Sequence, residues 1–157
     1  MKTILLVVGK TTEQHFAAGI SDYVKRLGRY LSFELETIPE LKNARNLPVE
    51  VQKEKEADLI LKALQPGDVV VLLDEGGREM RSVEFADYMR HKQNTVARRL
   101  VFVVGGPYGF APRVYAASSE KLSLSRMTFS HQMVRLVFVE QLYRAMTILA
   151  GTPYHHE

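Results

Sequence analysis

Three short apolar runs, Ile4-Leu-Leu-Val-Val8, Val69-Val-Val-Leu-Leu73 and Leu100-Val-Phe-Val-Val104, set the limits on what this chain can fold into. Each has the length of a strand, and a strand that is apolar on both sides must be covered on both faces. Amphipathic helical stretches lie between them. The pattern therefore predicts an α/β fold of βα units around a mostly parallel sheet.

Strand one is expected over residues 3–9. Thr12 stands where a helix cap would, ahead of a stripe formed by Phe16, Ile20, Tyr23, Val24 and Leu27, with Lys25, Arg26 and Arg29 on the opposite face. Residues 32–38 alternate as a partly exposed strand does, and Pro39 ends them. Residues 41–47 are basic and turn-rich and are expected to be mobile. Pro48 fits the first turn of a second helix whose buried stripe is Ala57, Ile60, Leu61 and Leu64, leaving the acid/base run 50–58 as its solvated face. The second central strand ends in Asp74-Glu-Gly-Gly77, which reads as a loop. A third helix follows from residue 82 to about 93, and the third apolar run ends in Gly105-Gly-Pro-Tyr-Gly109. The segment Lys121-Leu-Ser-Leu-Ser-Arg-Met-Thr-Phe-Ser-His131 reads as a short edge strand and a connector.

Residues 131–150 are apolar on nearly every helical face, including Val134, Leu136, Val137, Phe138, Leu142, Met146 and Leu149. A helix of this kind must be buried all round. The sheet can cover one side, and a second copy of the chain is the simplest cover for the other, so a homodimer is expected.

With 157 residues, 46% hydrophobic and 25% charged, residues 1–157 fit one domain with a full core. The absence of cysteine excludes disulfides and thiolate metal sites, and a cytoplasmic location with no membrane role is the expectation. A net charge of +3 permits a polyanionic partner without requiring one.

Several common catalytic designs are missing. There is no Gly-x-Gly-x-x-Gly after the first strand, no Walker loop, no Gly-x-Ser-x-Gly elbow and no His-Glu-x-x-His helix. His155 and His156 are adjacent, so their side chains diverge and no metal site is expected. In open parallel sheets ligands lie beyond the carboxyl ends of the strands. Loops at Leu73, Gly105 and 124–129 would form a cleft of backbone amides and apolar side chains there, better suited to an adenine and a sulfonium than to a triphosphate. The final residues, Gly151-Thr-Pro-Tyr-His-His-Glu157, add an aromatic ring and two groups that titrate near neutrality.

Val103-Val-Gly-Gly-Pro-Tyr-Gly109, Leu122-Ser-Leu-Ser125, His131-Gln-Met-Val-Arg135, Glu140-Gln-Leu-Tyr-Arg-Ala145 and Pro153-Tyr-His-His-Glu157 together resemble the RlmH family of bacterial methyltransferases, within the knotted SPOUT class. The resemblance covers essentially the whole chain. It implies a SPOUT-type α/β fold whose C-terminal half, about residues 70–157, is threaded as a deep trefoil knot and holds the cofactor. It implies a homodimer, S-adenosyl-L-methionine as methyl donor without a metal, and N3 of a pseudouridine in helix 69 of 23S ribosomal RNA as acceptor, on the assembled 70S ribosome. By motif, Leu73, Gly105, Leu124, Ser125, Arg126, Met127, Thr128 and Phe129 are expected to hold the cofactor. Tyr154, His155 and His131 are the catalytic candidates, and Arg135, Arg144, Tyr154, His155 and His156 are the candidates for RNA contact. The alternative for Arg144 is an ion pair with Glu140, four residues earlier. His156 stands where relatives often carry arginine, and Gln132 stands in a segment where proline flanks the histidine.

Two other readings stay open on sequence. One is a ribosome-associated factor that only binds, which would have no reason to hold the methyl donor. The other is a SPOUT enzyme acting on transfer RNA, against which the lack of an appended RNA-binding domain argues mildly.

Overall fold

The computed structural model describes residues 1–157. Five strands, β1 (Lys2–Val8), β2 (Phe33–Ile38), β3 (Val69–Glu79), β4 (Arg99–Val104) and β5 (Glu120–Ser123), form one sheet in the order β2-β1-β4-β3-β5. Every pairing in it is parallel. The helices are α1 (Gln14–Leu27), α2 (Val49–Ala63), α3 (Ser82–Thr95), α4 (Pro112–Ala117) and α5 (Met133–Ala150).

The three apolar runs are the three central strands, and their side chains divide by parity as a pleated strand demands. Leu5, Val7, Val71, Leu100 and Phe102 face α1, α3 and α5, where they meet Phe85, Met89, Phe138 and Leu142. Ile4, Leu6, Val70, Leu72, Val101 and Val103 face α2 and α4, meeting Ile60, Ala57 and Val114. Two covered faces explain why these strands carry no polar alternation.

The differences from expectation have local causes. Glu13 rather than Thr12 precedes α1, and the Thr12 amide donates instead to the Gln132 side chain at 2.9 Å. Pro48 caps α2 from just outside, and Leu64 follows its last residue. The segment 41–47 contains a 3₁₀ turn, Ala44–Asn46. Asp74-Glu-Gly-Gly77 is not a terminating loop: β3 shifts register between Leu73 and Arg78 and pairs with β5 again. Gly77 allows this, since a Cβ there would lie 2.6 Å from the Lys121 carbonyl carbon and 2.7 Å from the Leu122 nitrogen. Helix α4 was not foreseen, although Pro112 at its first position is a helix-start signal.

The all-round apolar character of α5 is largely satisfied within one chain. It packs between α1 and α3 on the sheet, burying Phe138, Val139, Leu142, Ala145 and Met146, and leaves only Met133 and Leu149 well exposed among its large apolar residues. The pattern that pointed to a second subunit thus has another cover, and α5 alone does not require a dimer. No helix is long and apolar enough to cross a membrane.

Candidate active site

Beyond the carboxyl ends of β4 and β5, and beside the register shift within β3, lies a cleft of about 660 Å³. One wall is Leu73, Asp74 and Glu75, a second is the loop 105–110, and the third comes from residues 124–131 with Val134 of α5. Seven of the eight residues expected around the cofactor come together here: Leu73, Gly105, Leu124, Ser125, Met127, Thr128 and Phe129. His131 joins them. Arg126 does not, because its side chain is 84% exposed and turns outward to Glu79, 3.0 Å away.

The walls are held by short-range bonds. The Ser125 hydroxyl accepts the Met127 amide at 2.9 Å, and the Thr128 hydroxyl donates to Glu75 at 2.8 Å. Asp74 accepts the Gly76 amide at 2.8 Å and the Tyr115 hydroxyl with its other oxygen. Burial, reinforced by that carboxylate, pushes the Tyr115 phenol up to about 12. Gly105 is required by space, since a Cβ there would lie 2.9 Å from the ring of buried Phe110.

Glu56 is the least expected member. It belongs to the run assigned to a solvated face, yet its carboxylate turns inward and accepts the Gly106 amide at 2.8 Å. Burial raises its pKa, and the Gly106 bond pulls it partly back. A carboxyl whose folded pKa lies above its unfolded value costs stability at neutral pH, and that cost is relieved as pH falls through the folded pKa. Glu56→Gln is therefore expected to melt at or slightly above the wild-type temperature at pH 7, losing that advantage near pH 4. Glu56→Ala, which releases Gly106, is expected to weaken ligand binding in the cleft roughly tenfold. Thermal melts across pH and calorimetric titration check both outcomes.

Arg135, offered by sequence as an RNA contact, is corrected by the structure. It is 1% exposed. Its guanidinium donates to the carbonyls of His131 at 2.9 Å, Gly9 at 2.8 Å and Val8 at 2.8 Å, and to the Thr11 hydroxyl at 3.1 Å. Four of its five N–H donors are spent on acceptors within the chain, and its burial keeps the group away from phosphate. Gln132 completes the clamp by accepting from the Thr12 amide and donating to the Lys10 carbonyl at 3.2 Å. The start of α5, and with it the cleft residue His131, is thereby tied to the turn after β1. Burial lowers the Arg135 pKa, opposed by the charge of Glu40.

The tail folds back along α5 and adds nothing to the wall of its own chain's cleft. Gly151 makes the turn with φ 73°, in the left-handed region that favours glycine. The Tyr154 hydroxyl donates to Glu140 at 3.0 Å and lies 3.1 Å from the Tyr23 hydroxyl. Its ring meets Tyr143 edge-on at 4.7 Å and has the Arg144 guanidinium 4.9 Å from its centre. Arg144 pairs with Glu140 at 2.7 Å, the ion pair that the i,i+4 spacing allowed, and donates to His155 Nδ1 at 3.1 Å. A guanidinium only donates, so Nδ1 accepts and the proton of a neutral ring sits on Nε2. That Nε2 is buried without a partner. Glu157 bonds Arg81, and His156 is exposed.

Sequence reasoning missed Glu56, Asp74, Glu75, Tyr108 and Tyr115 as parts or supports of the cleft. Glu56 is four residues before buried Ile60, a spacing that places both on one helix face and was available as a signal. Nothing local marked Tyr115, which reaches the cleft only through the unforeseen α4.

An all-parallel sheet with a cleft lined by residues that follow β4 and β5 is the arrangement of a ligand-binding α/β fold. The family model described as "Predicted SPOUT methyltransferase" matches residues 1–155. Proteins named Ribosomal RNA large subunit methyltransferase H from Bacteroides thetaiotaomicron, Phocaeicola vulgatus and Porphyromonas gingivalis are 67%, 66% and 54% identical to this chain, each over all of both chains. The chain belongs to the SPOUT methyltransferases and, within them, to this methyltransferase H family. A solved structure of a probable methyltransferase from Bordetella pertussis has a TM-score of 0.58 at 15% identity, covering 92% of this chain and 96% of its own, and supports the fold.

Proposed function

We propose that this chain transfers a methyl group from S-adenosyl-L-methionine to N3 of a pseudouridine in helix 69 of 23S ribosomal RNA, acting as a cytoplasmic homodimer on the assembled 70S ribosome. Residues 1–157 serve as one domain, with the C-terminal half knotted. The relatives, identical at up to 67% of positions and named for methylation of large-subunit ribosomal RNA, support the substrate class. The cleft is the observation that carries the reading. It joins apolar surface from Leu73, Val104, Leu124 and Phe129 to glycine-rich backbone, and none of its lining residues is lysine or arginine. Such a lining fits an adenine and a positively charged sulfonium.

The donor, when bound, supplies an electrophilic methyl group. The chain's own residues hold it in line with the acceptor and exclude water, which is where much of the acceleration arises. The proton of N3 goes to His131, which lines the cleft, to His155 or to solvent. Tyr154 stacks on a loop base, His155 and His156 face the RNA, and Arg144 orders the tail. As docked, the Tyr154 hydroxyl is occupied by Glu140 and Tyr23, so its use requires release from α5 or a partner subunit's cleft.

Labelled methyl from S-adenosylmethionine, offered to 70S particles, separated subunits and naked 23S RNA that lack the modification, tests the reading. Incorporation chiefly into 70S particles is expected. Incorporation into transfer RNA instead, or none at all despite donor binding, overturns the substrate assignment.

A further inference from the structure

We propose that Asp74 and Glu75 make the cleft selective for the charged methyl donor over its neutral product, an inference that rests on the cleft being the S-adenosylmethionine site. The chain carries 21 lysines and arginines against 18 acidic residues, yet the cleft is lined by these two carboxylates and by no lysine or arginine. Cations on the neighbouring segments are engaged elsewhere. Lys121 lies over the Tyr115 ring, 5.5 Å from its centre, Arg126 pairs with Glu79, and Arg113 pairs with Glu54 and Asp58. The carboxylates are also positioned: Asp74 is fixed by the Gly76 amide and the Tyr115 hydroxyl, and Glu75 by Thr128 across the cleft mouth.

The donor bears a sulfonium, an ammonium and one carboxylate, a net charge of +1. Once the methyl has left with the positive charge, the thioether product is neutral. A wall of two carboxylates attracts the first more than the second, whereas apolar and backbone contacts treat the shared adenosine alike. One unit charge about 5 Å away in near-aqueous surroundings changes an equilibrium roughly three- to tenfold, and the effect is screened by salt. The consequence is release of product against donor, a frequent bottleneck of transfer enzymes.

Calorimetric titration of the full-length protein with S-adenosylmethionine and, separately, S-adenosylhomocysteine tests this in wild type, Glu75→Gln and Asp74→Asn. Glu75→Gln keeps an acceptor for the Thr128 hydroxyl, and Asp74→Asn keeps one for the Gly76 amide while its NH2 can donate to the Tyr115 oxygen. The expected result is a roughly three- to tenfold loss of donor affinity in each variant, with product affinity changed less than about twofold and the wild-type preference shrinking as salt rises. Equal weakening of both ligands indicates a merely structural role and overturns the proposal, as does an unchanged preference. A wild-type protein that binds neither ligand removes the cofactor reading itself.

Discussion

Replacing Arg135 by alanine is expected to cost about 3–5 kcal/mol of folding stability, the range found when one member of a buried polar network is removed. The carbonyls of Val8 and Gly9 lose a charged donor where no water reaches them, and each such orphan costs about 1–3 kcal/mol. A domain of this size is stable by only about 5–15 kcal/mol, so the variant should unfold well below the wild-type midpoint in urea. Arg135→Lys keeps a cation but not the fork that reaches four oxygens, and should recover part of the loss. A midpoint for Arg135→Ala within about 0.5 kcal/mol of wild type would show that the clamp contributes little. The same substitution should disturb the cleft, because His131 is tied to the clamp through its carbonyl.

The second large effect is expected from the tail. Removal of residues 153–157 takes away Tyr154, His155 and His156 but nothing that lines the cleft of the same chain. Donor affinity should stay within about twofold, while methyl transfer to ribosomes falls at least about a hundredfold, the scale of losing a positioning contact made near the transition state. Tyr154→Phe separates the roles of this residue. It keeps the ring that packs on Tyr143 and Arg144 and removes the bonds to Glu140 and Tyr23, so a loss of tenfold or less points to stacking, and a loss matching the truncation points to the hydroxyl. Single-turnover rates at saturating donor decide between them. Unchanged transfer by the truncated chain would exclude the tail from the reaction.

Much of the fold was legible because burial on both faces leaves a plain mark. A run such as Val69–Leu73 tolerates no polar residue when α3 and α5 cover one side and α2 and α4 the other. The site was legible through the loops after β4 and β5, since strand ends in a parallel sheet converge. What escaped was set by partners distant in sequence. Arg135 looked like a surface cation, although its spacing of three and seven from Phe138 and Leu142 puts it on the buried stripe of α5. Its four acceptors, 4 residues or over 120 residues away, decided its role. Asp74-Glu-Gly-Gly77 has the composition of a loop, and only β5 lying against Gly77 makes it part of a strand. The tail was singled out for its aromatic ring and two imidazoles, but its docking depends on Glu140 of α5 and on Tyr23 of a helix 131 residues earlier in the chain.

The most direct test of the account is mass mapping of 23S ribosomal RNA from bacteria deleted for this enzyme and supplied with either the wild-type chain or Gly105→Val. The added side chain must enter the space of the Phe110 ring at the cleft wall, so the account predicts N3-methylated pseudouridine in helix 69 with wild type and none with the variant, both proteins being folded and present at equal levels. Methylation restored equally by Gly105→Val would contradict the cleft as the site of transfer, and none with wild type would contradict the assigned substrate.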